Sequence, residues 1–198
     1  GNPIIEGLSS QSINENDSKG ISFTVTDPQN DTITFSLSGV DKDLFTLTFD
    51  GLNASLTSSS KDYELPEDSD ANNVYLVSVN FSDDLNTTSQ EVEVSISNIN
   101  DNDPVISSSG SFTVPENQQA VATLTATDTD TTNLTYNLAT GNGTTDQHNS
   151  LFTVSGTQLL VASSTISYDN ITSLNVNLRV SDGDNVITNA FQIAVNDL

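Results

Sequence analysis

Along this 198-residue chain the apolar residues recur at every second position, in short runs, and no long stretch carries helical spacing. "YLVSVNF" (75–81) puts Tyr75, Val77, Val79 and Phe81 on one face, and "SLNVNLRV" (173–180) does the same with Leu174, Val176, Leu178 and Val180. A period of two belongs to a strand buried on one side. Similar runs predict strands near 21–26, 31–37, 44–48, 54–58 and 89–97, and again near 120–127, 133–138, 151–154, 158–162 and 187–195. Clusters of Gly, Asn, Asp and Ser separate them, residues that close turns by bonding the local backbone or by adopting positive φ. About seven short strands per hundred residues read as an antiparallel sandwich.

The runs also repeat. "SINEN" (12–16) returns as "TVPEN" (113–117), and "VTDPQNDTITFSL" (25–37) returns without gaps as "ATDTDTTNLTYNL" (126–138). These matches pair Glu15 with Glu116 and Asp27 with Asp128. "VSVNFSD" (77–83) returns as "VNLRVSD" (176–182), pairing Asp83 with Asp182. The chain is therefore expected to hold two copies of one unit, repeat 1 over residues 1–99 and repeat 2 over 100–198, with a linker at 98–104. "NPII" (2–5) matches "DPVI" (103–106), so the chain reads as a segment of a longer tandem array.

Charge changes the picture more than length does. There are 27 acids against four bases, a formal charge of −23. Leu, Ile, Val and Phe make up about 27% of the residues, above the roughly 20% below which chains stay disordered. A field of this sign repels nucleic acid and anionic membrane. No apolar run approaches the roughly 20 residues of a membrane-spanning helix. With no Cys and one His, zinc and thiol chemistry lack ligands. His148 falls in the polar loop "GNGTTDQHNS" and reads as an exposed loop residue. Paired carboxylates serve glycoside hydrolysis, but these pairs recur once per repeat at a joint, which suits structure rather than one active site. The expectation is a protein that is not an enzyme. Eight Asn-Xaa-Ser/Thr sequons occur, as chance supplies in a chain rich in Thr and Asn.

The acids concentrate where strands end: Glu15, "KDYELPED" (61–68), "NINDN" (98–102), "DTD" (128–130) and "SDG" (181–183). Such oxygen-rich turns suit a hard cation, because Ca²⁺ takes six to eight carboxylate, amide and carbonyl oxygens. An EF-hand is excluded: counted from Asp128, Asn133 and Ala139 stand where that loop needs Gly and Glu.

The motifs "PEN", "DTD", "DYE", "SDG" and "NINDN", in that register, resemble the cadherin repeat family over essentially the whole chain. The resemblance implies two tandem seven-stranded Greek-key β-sandwiches and about three Ca²⁺ at the linker between them. It assigns Glu15, Asp62 and Glu64 from repeat 1, and Asn98, the Ile99 carbonyl, Asn100, Asp101 and the Asn102 carbonyl from the linker. From repeat 2 it assigns Asp128, Asp130 and Asp182, with a carbonyl near Asn133. Seven carboxylates against three divalent ions leave such a cluster nearly neutral when filled. The chain departs from the pattern at Asn98, where the family has Asp, at Gln29, which replaces the second acid of the Asp-Xaa-Asp motif, and at "SYD" (167–169) in place of "DYE". Terminal half-sites are therefore expected to be partial or empty. Function follows as an expectation: calcium-stiffened extracellular repeats, a stalk within a large surface adhesin similar to bacterial adhesins of the repeats-in-toxin kind. The alternative is an adhesive module acting through homophilic contact or a carbohydrate or peptide ligand. Its partners would then be neighbouring repeats of the same chain, a second copy, or a surface ligand.

Overall fold

The computed structural model describes residues 1–162 and 166–198. The chain divides into two compact units, Gly1–Ile99 and Asn100–Leu198. In unit 1 the strands are β1 (Ile4–Glu6), β2 (Gln11–Asn14), β3 (Ile21–Thr26), β4 (Thr34–Ser38), β5 (Thr46–Phe49), β6 (Asn53–Thr57), β7 (Val74–Ser82) and β8 (Thr87–Ser97). They form two sheets, β1-β3-β6-β5 and β2-β8-β7-β4. β1 pairs antiparallel with β3 while β2 pairs parallel with β8, so the chain changes sheets between them, passing through Gly7 at φ +82°. That change makes two strands of the segment before β3 and raises the count in this unit to eight.

Unit 2 repeats the plan with β9 (Val105–Ile106), β10 (Ser111–Pro115), β11 (Ala120–Thr123), β12 (Ala126–Thr127), β13 (Thr135–Leu138), β14 (Phe152–Ser155), β15 (Gln158–Val161), β16 (Ser173–Ser181) and β17 (Val186–Asn196). β10-β17-β16-β13 form one sheet, with β11-β15-β14 and the pair β12-β9 opposite. The run expected as one strand over 120–127 is broken. The ladder shifts register between Ala120 and Ala122, and beyond β11 the Thr125 carbonyl accepts both Ser107 and Ser108 N–H groups (2.9 and 3.1 Å). All-β architecture and the sandwich hold; the described residues of unit 2 form nine strands rather than seven.

The two-residue pattern decides what is buried. Tyr75, Val77, Val79 and Phe81 are at most 1% exposed on β7, and Leu174, Val176, Leu178 and Val180 at most 2% on β16. Phe81 meets Phe49 edge-on at 5.3 Å and Phe23 at 6.0 Å, contacts worth about 1 kcal/mol each beyond the area they bury. Strand order carries the polar residues as well. Asn16 and Asn117, at φ +62° and +61°, end β2 and β10 in the left-handed region that Asn tolerates. Their N–H groups reach the Lys61 and Ile166 carbonyls (2.9 and 3.1 Å). The Glu-Asn dipeptide of each repeat is thus first a folding signal.

Candidate metal centres

In unit 1 one group of acids collects after β2. Glu15 is 3% exposed; its Oε2 accepts the Tyr63 N–H and its Oε1 the Ile99 N–H, both at 2.8 Å. Asp62 Oδ1 accepts the Glu64 N–H at 3.0 Å, closing the turn that presents both carboxylates. Carboxylate oxygens of Glu15, Asp62 and Glu64 lie within 4.8 Å of one another. Asn98 and Ile99 follow β8 with exposed side chains.

In unit 2 the acids are held by a net of turns. Asp130 Oδ2 accepts the N–H groups of Asp101 (2.9 Å) and Asn102 (2.7 Å), while Asn102 Nδ2 donates to Asp130 Oδ1 (3.2 Å) and Asp101 Oδ1 (3.1 Å). Asn185 Nδ2 donates to the Asn102 carbonyl at 3.0 Å, and Asn100 Nδ2 to Asp184 Oδ2 at 3.3 Å. Residues 100–102 are therefore laid against the "DTD" and "SDGDN" turns by their own amides. Asn133 stands apart from this net: its side chain is exposed and its N–H donates to Thr131 Oγ1 (3.1 Å). Asp184 and Asn185 escaped the sequence reading, although "DGDN" is the kind of short-oxygen turn that signals them.

Each unit also carries the same two acid turns, after β3 and β7 in unit 1 and after β12 and β16 in unit 2. Asp27 Oδ1 accepts the N–H groups of Gln29 and Asp31 (2.8 and 3.1 Å); Asp128 Oδ1 accepts those of Asp130 and Thr131 (2.7 and 3.1 Å). In both, the other oxygen, Oδ2, is buried with no hydrogen-bond partner. A buried carboxylate oxygen without a partner is costly unless something positive faces it. Asp83 Oδ1 accepts Leu85 and Asn86 N–H, and Asp182 Oδ1 accepts Asp184 and Asn185 N–H. Burial pushes the Asp182 carboxyl up, but hydrogen bonds from Asn185 and Asp184 prevail and hold it below the usual carboxylate range. The Asn86 N–H does most to lower Asp83 against its burial. In unit 1, Asp31 joins Asp27 and Asp83, with carboxylate oxygens within 4.8 Å. The acid missing at Gln29 is thus supplied two residues later by the loop.

The donors in all these groups are carboxylate, amide and carbonyl oxygens, the set preferred by Ca²⁺ and other hard cations. The paired orphan oxygens on Asp27 and Asp128 fit such an ion. No family model matches this chain, and no curated protein matches it. Solved structures do. Human protocadherin-24 EC1-2 gives a TM-score of 0.71 at 20% identity, covering 99% of this chain and 98% of that one. The fold is cadherin-like. Protocadherin gammaB7 EC3-6, described as a cis-dimer structure, gives 0.75 at 19% identity over 98% of this chain and 49% of that one. Drosophila N-cadherin EC1-4 gives 0.73 at 14% identity, again over 98% and 49%. The chain thus spans about half the length of two of these three cadherin structures, and at such identities the likeness is one of fold. Among the described residues no helix is long and apolar enough to cross a membrane.

Proposed function

We propose that these cadherin-like repeats bind calcium and serve as an extracellular stalk or extender within a larger surface adhesin. One observation carries the reading. The same acid turns recur in both repeats, each leaving a buried Asp oxygen, on Asp27 and on Asp128, without a partner. The ligands proposed are Glu15, Asp62, Glu64, Asn98, Ile99, Asn100, Asp101, Asn102, Asp128, Asp130, Asn133 and Asp182, holding about three ions in all. That residues of both repeats share ions rests on the sequence register and the family resemblance. A short linker between compact domains is flexible by default. Seven uncompensated carboxylates at one joint repel, by up to about 4 kcal/mol per close pair at an effective dielectric near 20 before salt screening. Calcium removes that repulsion and stiffens the joint.

Small-angle scattering in millimolar Ca²⁺ and in chelator tests the reading. An extended, uniform particle with calcium and a shorter, more varied one without it is expected. An unchanged profile would sink the extender mechanism. A second reading is favoured by the cis-dimer described for protocadherin gammaB7: adhesion through a second copy. Sedimentation separates the two, since a calcium-dependent dimer supports adhesion and a monomer the stalk.

A further inference from the structure

The two repeats clip the same one-turn helix to the same strand with different chemistry. In unit 1 the 3-10 turn Lys42–Leu44 is preceded by Asp41, whose N–H donates to the Leu76 carbonyl (3.2 Å) and whose Oδ2 accepts the Leu76 N–H (2.8 Å). Its Oδ1 accepts the Ser69 N–H at 2.8 Å. In unit 2 the turn Asn149–Leu151 is preceded by His148, whose N–H donates to the Asn175 carbonyl (3.0 Å). Here Nδ1 of the imidazole accepts the Asn175 N–H at 2.9 Å. The reciprocal pair is the same; only the accepting group changes, from carboxylate to imidazole. The side chain read from sequence as an exposed loop residue is half-buried and bonded to β16.

We propose that His148 is an acid-sensitive clip that loosens unit 2, and not unit 1, in mildly acidic surroundings. Nδ1 accepts a hydrogen bond only while it carries no proton, so the neutral ring must hold its proton on Nε2. A proton arriving on Nδ1 turns the acceptor into a donor facing the Asn175 N–H. The bond is present at neutral pH and lost as pH falls. A carboxylate in the same place keeps its acceptor through that range. Few charges face the clip. On β14 and β16, the strands beside the turn Asn149–Leu151, the one charged side chain is Arg179, and β13, β17 and β10 contribute only the phenol of Tyr136. Asp146, in the preceding loop, is engaged with the Gly143 N–H at 2.7 Å. Two further side-chain bonds remain to hold the turn: Asn149 Oδ1 accepts the Asn177 N–H at 2.9 Å, and Asn149 Nδ2 donates to the Ala139 carbonyl at 2.8 Å. Acid therefore frees the start of the turn first. His148 is the chain's one histidine, and it is remote in sequence from every proposed calcium ligand.

Amide exchange on the ¹⁵N-labelled two-repeat chain, at constant saturating CaCl₂ and corrected for intrinsic exchange rates, tests this. Between pH 7 and pH 5 protection at Asn175 is expected to fall about tenfold, the effect of one lost hydrogen bond, while Leu76 changes little. His148→Asp, which installs the acceptor of unit 1, is expected to abolish the difference. Equal losses at Leu76 and Asn175, or none at Asn175, would overturn the proposal. If His148→Asp does not fold, ¹⁵N shifts of the wild-type imidazole at pH 7 still decide: a ring protonated on Nδ1 refutes the clip.

Discussion

Removing the Glu15 carboxylate separates the folding role of this residue from its role toward calcium. In Glu15→Ala, measured in chelator, the N–H groups of Tyr63 and Ile99 lose acceptors that stand at 2.8 Å on a side chain 3% exposed. Hydrogen bonds to charged groups contribute about 1.5–3 kcal/mol each. Water can reach the end of the unit once the side chain is gone, so the lower end applies, about 3 kcal/mol for the pair. Glu15→Gln offers no escape, because its amide nitrogen must face one of two donors. Glu116 is the internal comparison. It makes the same two contacts, to Tyr168 and Leu198, at 3.2 and 3.4 Å, and it is half-buried. Glu116→Ala is expected to cost about 1 kcal/mol in unit 2. The chain has no Trp, so urea titration should be followed by amide cross-peaks resolved for each unit. A Glu116→Ala cost equal to or above that of Glu15→Ala would refute the reasoning. So would a Glu15→Ala cost below about 1 kcal/mol. Repeated in calcium, Glu15→Ala should show a larger loss than in chelator, since ions that bind only the folded state add stability by mass action.

Asp101→Ala leaves the backbone N–H groups of residues 101 and 102 on Asp130, so the fold should persist while titration calorimetry shows the loss of more than one bound Ca²⁺; an unchanged stoichiometry would refute its place in the site. In chelator, Asp182 stabilises unit 2 at neutral pH because its folded carboxyl titrates below the unfolded one. That contribution is present above the unfolded value of about 3.9 and is lost as pH falls through the folded value. Asp182→Asn should therefore lower unit 2 stability at pH 7 and flatten its acid limb below about pH 4, as read by urea midpoints across pH.

The alternation in "YLVSVNF" and "SLNVNLRV" was enough to name the core faces of β7 and β16, because a pleated strand has only two sides and burial selects one. The repeat offset and the acid motifs were equally legible, since residues that close turns act within a few positions of themselves. Sequence therefore determined the strand content, the twofold repetition and the oxygen-rich turns. What it could not determine are features made between segments far apart in the chain. The crossing of strands β1 and β2 between two sheets depends on which partner each finds, β3 or β8. The recruitment of Asp31 beside Asp27 and Asp83 depends on how the loop folds back. The bond from Asn175 to His148 spans 27 residues, and nothing local to "DQHNS" announces it. Long-range backbone pairing sets those positions, and only the tertiary structure brings the partners within hydrogen-bond reach.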